Sequence, residues 1–152
     1  MFGKLKELLT GAGPAADDAG DLRLAVAALL IEAGTMDERF EDKERSMILA
    51  LLKQRFQIDG SELDELMAAA QKRSEASEQY YPLTDLICKR MSGPERVEVI
   101  EMLWSVAYAD GELDAYEDSL IRQVAALLQV SDRDRAYARQ RAIAASSKTA
   151  EG

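Results

Sequence analysis

A short acidic pattern occurs twice in this chain, 73 residues apart, and it constrains the fold more than any other feature of the sequence. Seven of the twelve positions from 37 to 48 are identical or conservatively replaced at this offset. The identical pairs are Asp37 and Asp110, Glu44 and Glu117, Ser46 and Ser119, and Ile48 and Ile121. Chance gives fewer than about one identity over such a stretch at average residue frequencies. The repetition predicts a fold built from two copies of one structural unit.

Apolar residues recur at helical spacing in nearly every segment after residue 20, and no segment shows the alternation that marks a strand. The first helical stripe consists of Leu22, Val26, Leu29 and Ala33. A chain of 152 residues is long enough for one domain with a buried core. We therefore predict an all-α fold, a single domain of about seven helices with an internal two-fold helix–acidic turn–helix repeat.

Three serines are predicted to cap helix N-termini. Ser92 is followed by Pro94 and Glu95, which together form the signature of a capping box with proline in the first turn. Ser131 precedes an arginine- and alanine-rich segment, and Ser61 precedes a segment with helical periodicity. These caps predict where the third, fifth and seventh helices begin.

Both ends of the chain are predicted to lie outside the helical domain. Residues 1–20 are expected to form a short amphipathic leader and a flexible linker, because residues 11–20 are mostly small. The helical domain is predicted to extend over residues 21–145, and a disordered tail over 146–152. The leader, residues 1–9, is either a helix that docks loosely on the core or one that contacts a membrane surface or a partner.

Composition excludes several classes of function. The chain contains no histidine, which removes imidazole bases, catalytic triads of the serine or cysteine type, and ordinary zinc sites. Its formal net charge of −9 repels phosphate backbones, so nucleic-acid binding is not expected, whereas cations and basic partner surfaces are favoured. No apolar run approaches the roughly 20 residues that span a bilayer, and a cytoplasmic location is predicted.

Each copy of the acidic pattern carries three carboxylates at the same spacing. They are Asp37, Glu41 and Glu44 in the first copy, and Asp110, Asp114 and Glu117 in the second. If two-fold packing brings the two turns together, these six carboxylates form one shared site. A site made of oxygen ligands alone selects a hard cation, so Ca²⁺ is the expected ion, with Mg²⁺ or Mn²⁺ as alternatives.

Helix capping is the alternative explanation for these acidic residues. Asp114 and Glu117 have the spacing of an N-cap residue and its N3 partner, and acidic side chains near a helix N-terminus interact favourably with the helix dipole. In the first copy Glu41 is a poor N-cap, and Asp42 is the better candidate. Capping also does not account for the acidic residue that each copy carries four positions before the cap.

The two copies, TMDERFEDKERSMI and YADGELDAYEDSLI, resemble the tellurite-resistance TerB-like family. The similarity covers roughly residues 20–145, and its most specific element is ADGELDAYE, whereas the first copy has Met-Asp-Glu in place of Ala-Asp-Gly. The resemblance implies an all-helical domain of about seven helices whose acidic residues chelate a metal, and a link to tellurite and stress responses. Carried over to this chain, the implied ligands are Asp37, Glu44, Asp110 and Glu117, with Glu41 and Asp114 as additions.

Three functions fit these observations. The first is a non-enzymatic, divalent-cation-binding helical module in which the cation controls binding of a protein partner. The second is a metal-independent adaptor whose acidic face meets a basic partner. The third is a metal-dependent hydrolase, but the sequence contains no phosphate-binding loop, no nucleophile elbow and no histidine for proton transfer. The non-enzymatic module is therefore the predicted function.

Overall fold

The computed structural model describes residues 13–35, 42–76, 81–109 and 115–151. These ranges contain seven α-helices and no strand, which confirms the predicted all-α fold. In chain order the helices are α1 (Gly13–Gly34), α2 (Asp42–Phe56), α3 (Gly60–Ala76), α4 (Tyr81–Arg90), α5 (Gly93–Ala107), α6 (Ala115–Leu127) and α7 (Asp132–Glu151). No helix in the described part of the chain combines the length and the apolar character needed to cross a bilayer.

Helix α1 lies at the centre of the fold and packs against α2, α3, α4, α5 and α6. From Ala25 to Ile31 every residue is at most 1% exposed. The sequence LAVAALLI makes this part of the helix apolar on all sides. Such a helix is stable only when other helices surround it. The burial is therefore wider than the predicted single stripe, whose first residue, Leu22, is only half-buried.

The outermost helices extend further than the sequence patterns indicated. Helix α1 begins at Gly13, so residues 13–20 are helical and do not form the predicted linker. Pro14 stands in the first turn of this helix, where its missing N–H and fixed φ are compatible with a helix start. Helix α7 continues to Glu151, through most of the segment predicted to be a tail. The alanines among residues 13–20 favour helix, because alanine has the highest intrinsic helix propensity.

Two of the three predicted N-caps are confirmed. The Ser92 hydroxyl accepts the Glu95 N–H at 3.3 Å while the Glu95 carboxylate accepts the Ser92 N–H at 3.0 Å, a complete capping box. The Ser131 hydroxyl accepts the Asp134 N–H at 3.1 Å. The prediction for Ser61 is wrong, because α3 already begins at Gly60, whose φ of 57° turns the chain directly into the helix.

The two copies of the acidic pattern lie in two halves of the fold, one containing α1 and α2 and the other α5 and α6. Helix boundaries in the two halves correspond at the offset of the sequence repeat. Helices α1 and α5 end at Gly34 and Ala107, and helices α2 and α6 begin at Asp42 and Ala115, so both pairs of positions are 73 apart. After α2 and α6, the chain adopts left-handed φ angles of 55° at Gln57 and 59° at Gln129. A buried apolar residue follows each glutamine.

The helix contacts are reciprocal between the halves. Helix α2 packs on α5, and its counterpart α6 packs on α1, the counterpart of α5. Contacts of this kind are what a pseudo-twofold arrangement of two helix pairs produces. The two-copy organisation that the acidic pattern predicted stays a prediction, and these boundaries and contacts agree with it.

Replacing Leu29 by alanine should lower the free energy of unfolding by about 2–5 kcal/mol, because its side chain is fully buried in the centre of the fold and a cavity would remain. Leu49→Ala is the matched control, since Leu49 is only half-buried at the edge of the core. Urea denaturation of both variants measures the difference. Equal losses would contradict the central position of α1.

Glu95→Gln should lower the free energy of unfolding at pH 7 by a few tenths to about 1 kcal/mol, the range for a largely solvated cap. The Ser92 N–H, then the Ser92 hydroxyl and Arg55, hold the pKa of Glu95 below its ordinary value of 4.5. A lowered folded-state pKa contributes stability above pH 4.5, and this contribution is lost as the pH falls through the folded-state value.

The difference between parent and Glu95→Gln should therefore be constant near neutral pH and shrink in acid. Glu98→Gln is the control, because Glu98 also lies 3.2 Å from Arg55 but caps no helix. Denaturation curves from pH 7 to pH 3 would show the trend. A difference that persists unchanged at pH 3 would rule out the charge of Glu95 as its source.

Candidate functional site

Glu44 and Glu117 are the buried charged side chains among the described residues, with exposures of 3% and 5%. They occupy equivalent places, each being the third residue of its helix, α2 or α6. A carboxylate is costly to bury unless hydrogen bonds, an ion pair or a cation compensate for the lost water. Two such side chains at matched positions therefore mark this end of the two helices as a candidate site.

The helical register explains why both glutamates point into the protein. Glu44 is followed at intervals of four by Ile48 and Leu52, and both of these side chains are fully buried. Glu117 likewise precedes Ile121 and Ala125 at intervals of four. Residues four apart share a helix face, so each carboxylate continues an apolar stripe beyond its last aliphatic residue.

Helix capping does not by itself account for this burial. Since α2 begins at Asp42 and α6 at Ala115, Glu44 and Glu117 stand at N3, the position of the glutamate in a capping box. Glu95 occupies the same position in α5, where it completes a capping box with its side chain still 42% exposed. The structure also makes Asp42 the first helical residue of α2, so the expectation that Asp42 is the N-cap is not met.

The other four predicted ligands lie outside the described residues. They are Asp37, Glu41, Asp110 and Asp114. Within the described ranges, no group of three or more acidic or cysteine side chains has the arrangement of a metal site. The full ligand set therefore stays a prediction, and the structure places only its two helix-borne members.

The neighbouring helix ends lead into the two acidic segments from corresponding positions. Thr35 follows α1, and its N–H donates to the Ile31 carbonyl at 2.9 Å. Tyr108 follows α5 in the same way, with its N–H 3.0 Å from the Trp104 carbonyl. Because α2 packs on α5 and α6 on α1, each buried glutamate sits on a helix that contacts the other half.

Sequence reasoning missed a cation–aromatic cluster beside the second acidic segment. The Arg139 Nε donates to the Tyr108 hydroxyl at 2.8 Å, and the guanidinium lies over the rings of Trp104 and Tyr108 at 5.5 and 5.9 Å. The spacing of Trp104 and Tyr108 shows that the rings share a helix face. Nothing local indicates that Arg139, on α7, meets them, because the contact depends on the packing of α7 against α5.

Comparison with known proteins identifies a family. Residues 23–140 match the family model described as "Tellurite resistance protein TerB". No curated protein and no solved structure gives a match. The matched range includes both acidic segments and both buried glutamates.

Glu44→Lys and Glu117→Lys should each lower the free energy of unfolding by about 3 kcal/mol or more, because each places an ammonium group in a buried position arranged for a carboxylate. Ser46→Lys and Ser119→Lys are matched controls, since both serines are exposed two residues further along the same helices. These controls should change stability by no more than about 0.5 kcal/mol. Thermal and urea denaturation measure all four. Tolerance of lysine at either glutamate position would contradict its burial.

Proposed function

The chain belongs to the TerB family, and we propose that its helical domain is a non-enzymatic, divalent-cation-binding module that controls a protein–protein interaction. The observation that carries this proposal is the burial of Glu44 and Glu117 at equivalent positions of α2 and α6. Their burial exceeds what a capping role requires, as the exposed Glu95 side chain shows. Both glutamates already have interactions within the protein, and a bound cation would add to the stabilisation of the two buried charges.

The proposed ligands are Asp37, Glu41, Glu44, Asp110, Asp114 and Glu117. All donate carboxylate oxygens, the ligands that hard cations prefer, so Ca²⁺ is the favoured ion and Mg²⁺ or Mn²⁺ the alternatives. The reciprocal contacts of α2 with α5 and of α6 with α1 support a single shared site, because contacts of this kind are what a pseudo-twofold arrangement of the two helix pairs would produce.

Cation binding would act on the packing of the two halves. Without the cation, carboxylates gathered at the start of α2 and α6 repel one another, and the net charge of −9 adds to this repulsion. With the cation, the repulsion becomes attraction toward one centre. Helices α2 and α6, which contact the other half, would then be held more firmly. The affinity for a partner that binds across the two halves would therefore depend on the cation.

A metal-independent adaptor is the second candidate, and the N3 positions of Glu44 and Glu117 favour it. In that case the acidic residues serve as caps, and the acidic surface binds a basic partner. The two candidates differ in one measurable respect, because only the first makes the energetic role of the carboxylates depend on a cation.

The test compares Glu44→Gln, Asp110→Asn and Glu117→Gln with the parent, in EDTA and in saturating Ca²⁺. In EDTA the variants should be as stable as the parent or more so, since each removes one like charge. In Ca²⁺ the order should reverse. The parent gains about 2.7 kcal/mol at a cation concentration one hundred times its dissociation constant, and the variants gain less. Urea denaturation gives the free energies, and calorimetric titration with Ca²⁺, Mg²⁺ and Mn²⁺ ranks the ions.

Glu95→Gln is the matched control, because Glu95 is an N3 glutamate of the same protein that lies in a complete capping box. Its difference from the parent in free energy of unfolding should be the same in EDTA and in Ca²⁺. If the corresponding differences of the three site variants are equally insensitive to the cation, the carboxylates act as caps and the adaptor is the better assignment.

A further inference from the structure

A second site opens between α5, α6 and α7, and none of the proposed cation ligands lines it. It is a solvent-accessible pocket of about 250 Å³. Trp104 lines it from α5, Asp118 and Arg122 line it from α6, and Arg135, Arg139 and Ile143 line it from α7. Three arginines and one aspartate make this lining basic, in a protein whose net charge is −9.

Arg139 differs from the other two arginines of the pocket, which form ion pairs with nearby carboxylates. Arg122 is 3.0 Å from the Asp118 carboxylate and Arg135 is 2.8 Å from that of Asp132, so both are neutralised locally. No carboxylate of the described residues pairs with Arg139, whose Nε donates to the Tyr108 hydroxyl. The described hydrogen bonds leave its two Nη groups available, while the ring of Trp104 holds the guanidinium in place.

A guanidinium fixed in this manner is well suited to a carboxylate. Its two Nη groups can donate in parallel to both oxygens, and little side-chain entropy is lost because the aromatic contacts already restrict the arginine. Phosphate is a poorer match. A dianion in this pocket would face the Asp118 carboxylate, and the other two arginines are already engaged.

The size and the apolar edge of the pocket indicate a polypeptide ligand. Pockets that enclose a cofactor or a drug-sized molecule measure roughly 300–1,000 Å³, so this one fits only one or two side chains. Ile143 is 40% exposed at its edge, which is unusual for a large aliphatic residue of this protein. An apolar side chain next to the bound carboxylate would cover it.

We infer that this pocket binds an acidic polypeptide segment, with a glutamate or aspartate carboxylate on Arg139 and a neighbouring apolar side chain against Ile143. The inference specifies the kind of protein partner in the proposed function and rests on that part of it. It does not depend on cation binding, because every contact that defines the pocket involves side chains of α5, α6 and α7 or the Tyr108 that follows α5.

The experiment uses the full chain and arrays of short synthetic peptides with blocked ends and randomised flanks. One array has glutamate or aspartate at the central position, a second has glutamine or asparagine, and a third has phosphoserine. The protein should bind the acidic array and select an apolar residue near the centre. Binding is measured in EDTA and again in Ca²⁺, so a failure of cation binding at the two acidic segments leaves the result in EDTA unaffected.

Arg139→Gln should weaken binding of the selected peptides about tenfold or more, since a charge-assisted bidentate contact is lost. Arg133→Gln is the matched control, because Arg133 is exposed on the same helix but stacks on Tyr137 instead of lining the pocket. Tyr108→Phe is a second variant that keeps the ring and removes only the hydroxyl that holds Arg139. It should also weaken binding, and circular dichroism confirms that each variant is folded.

Equal binding of the acidic and amide arrays would overturn the inference, as would undiminished binding by folded Arg139→Gln. Stronger binding of the phosphoserine array, or displacement of the acidic peptides by millimolar inorganic phosphate, would identify a phosphate site and would overturn it as well.

Discussion

The burial of α1 on all sides is the constraint on which the rest of the structure depends. Seven consecutive residues from Ala25 to Ile31 are shielded from water, and burial of apolar surface favours folding by about 25 cal/mol per Å². Five other helices are needed to cover it. These five helices, α2 to α6, all follow α1 in the chain and extend beyond residue 110, so they include helices of both halves.

Glu44 and Glu117 are connected to this packing through the helices that carry them. Glu44 and Glu117 lie in the first turns of helices that pack across the two halves, where the apolar stripes meet the carboxylates. Any ligand that changes the energy of those carboxylates also changes how firmly α2 and α6 are held. A small local change in charge is thus connected to the packing that surrounds α1.

The proposed peptide pocket is linked to the second acidic segment through Tyr108. Tyr108 follows α5 directly before the second acidic segment, and its hydroxyl holds Arg139 of α7 in the pocket. Tyr108 is therefore only two residues before the second acidic segment in the sequence, although the ligands proposed for that segment and for the pocket have opposite charges. Helix α5, which carries Trp104, packs against α6 and α7 and forms the common support of both.

Local sequence determined the helical class, the caps at Ser92 and Ser131, and the matched positions of Glu44 and Glu117, because helical periodicity, cap chemistry and repetition are all properties of neighbouring residues. It misplaced the start of α3 at Ser61 and missed the helical residues 13–20, where backbone geometry and alanine content outweighed the turn signals. Only the tertiary structure decided that α1 is enclosed on every side, that the two glutamates are buried while Glu95 is not, and that Arg139 stacks on Trp104. These outcomes depend on which helices pack together, and residues that are distant in the sequence carry no local signal of that choice.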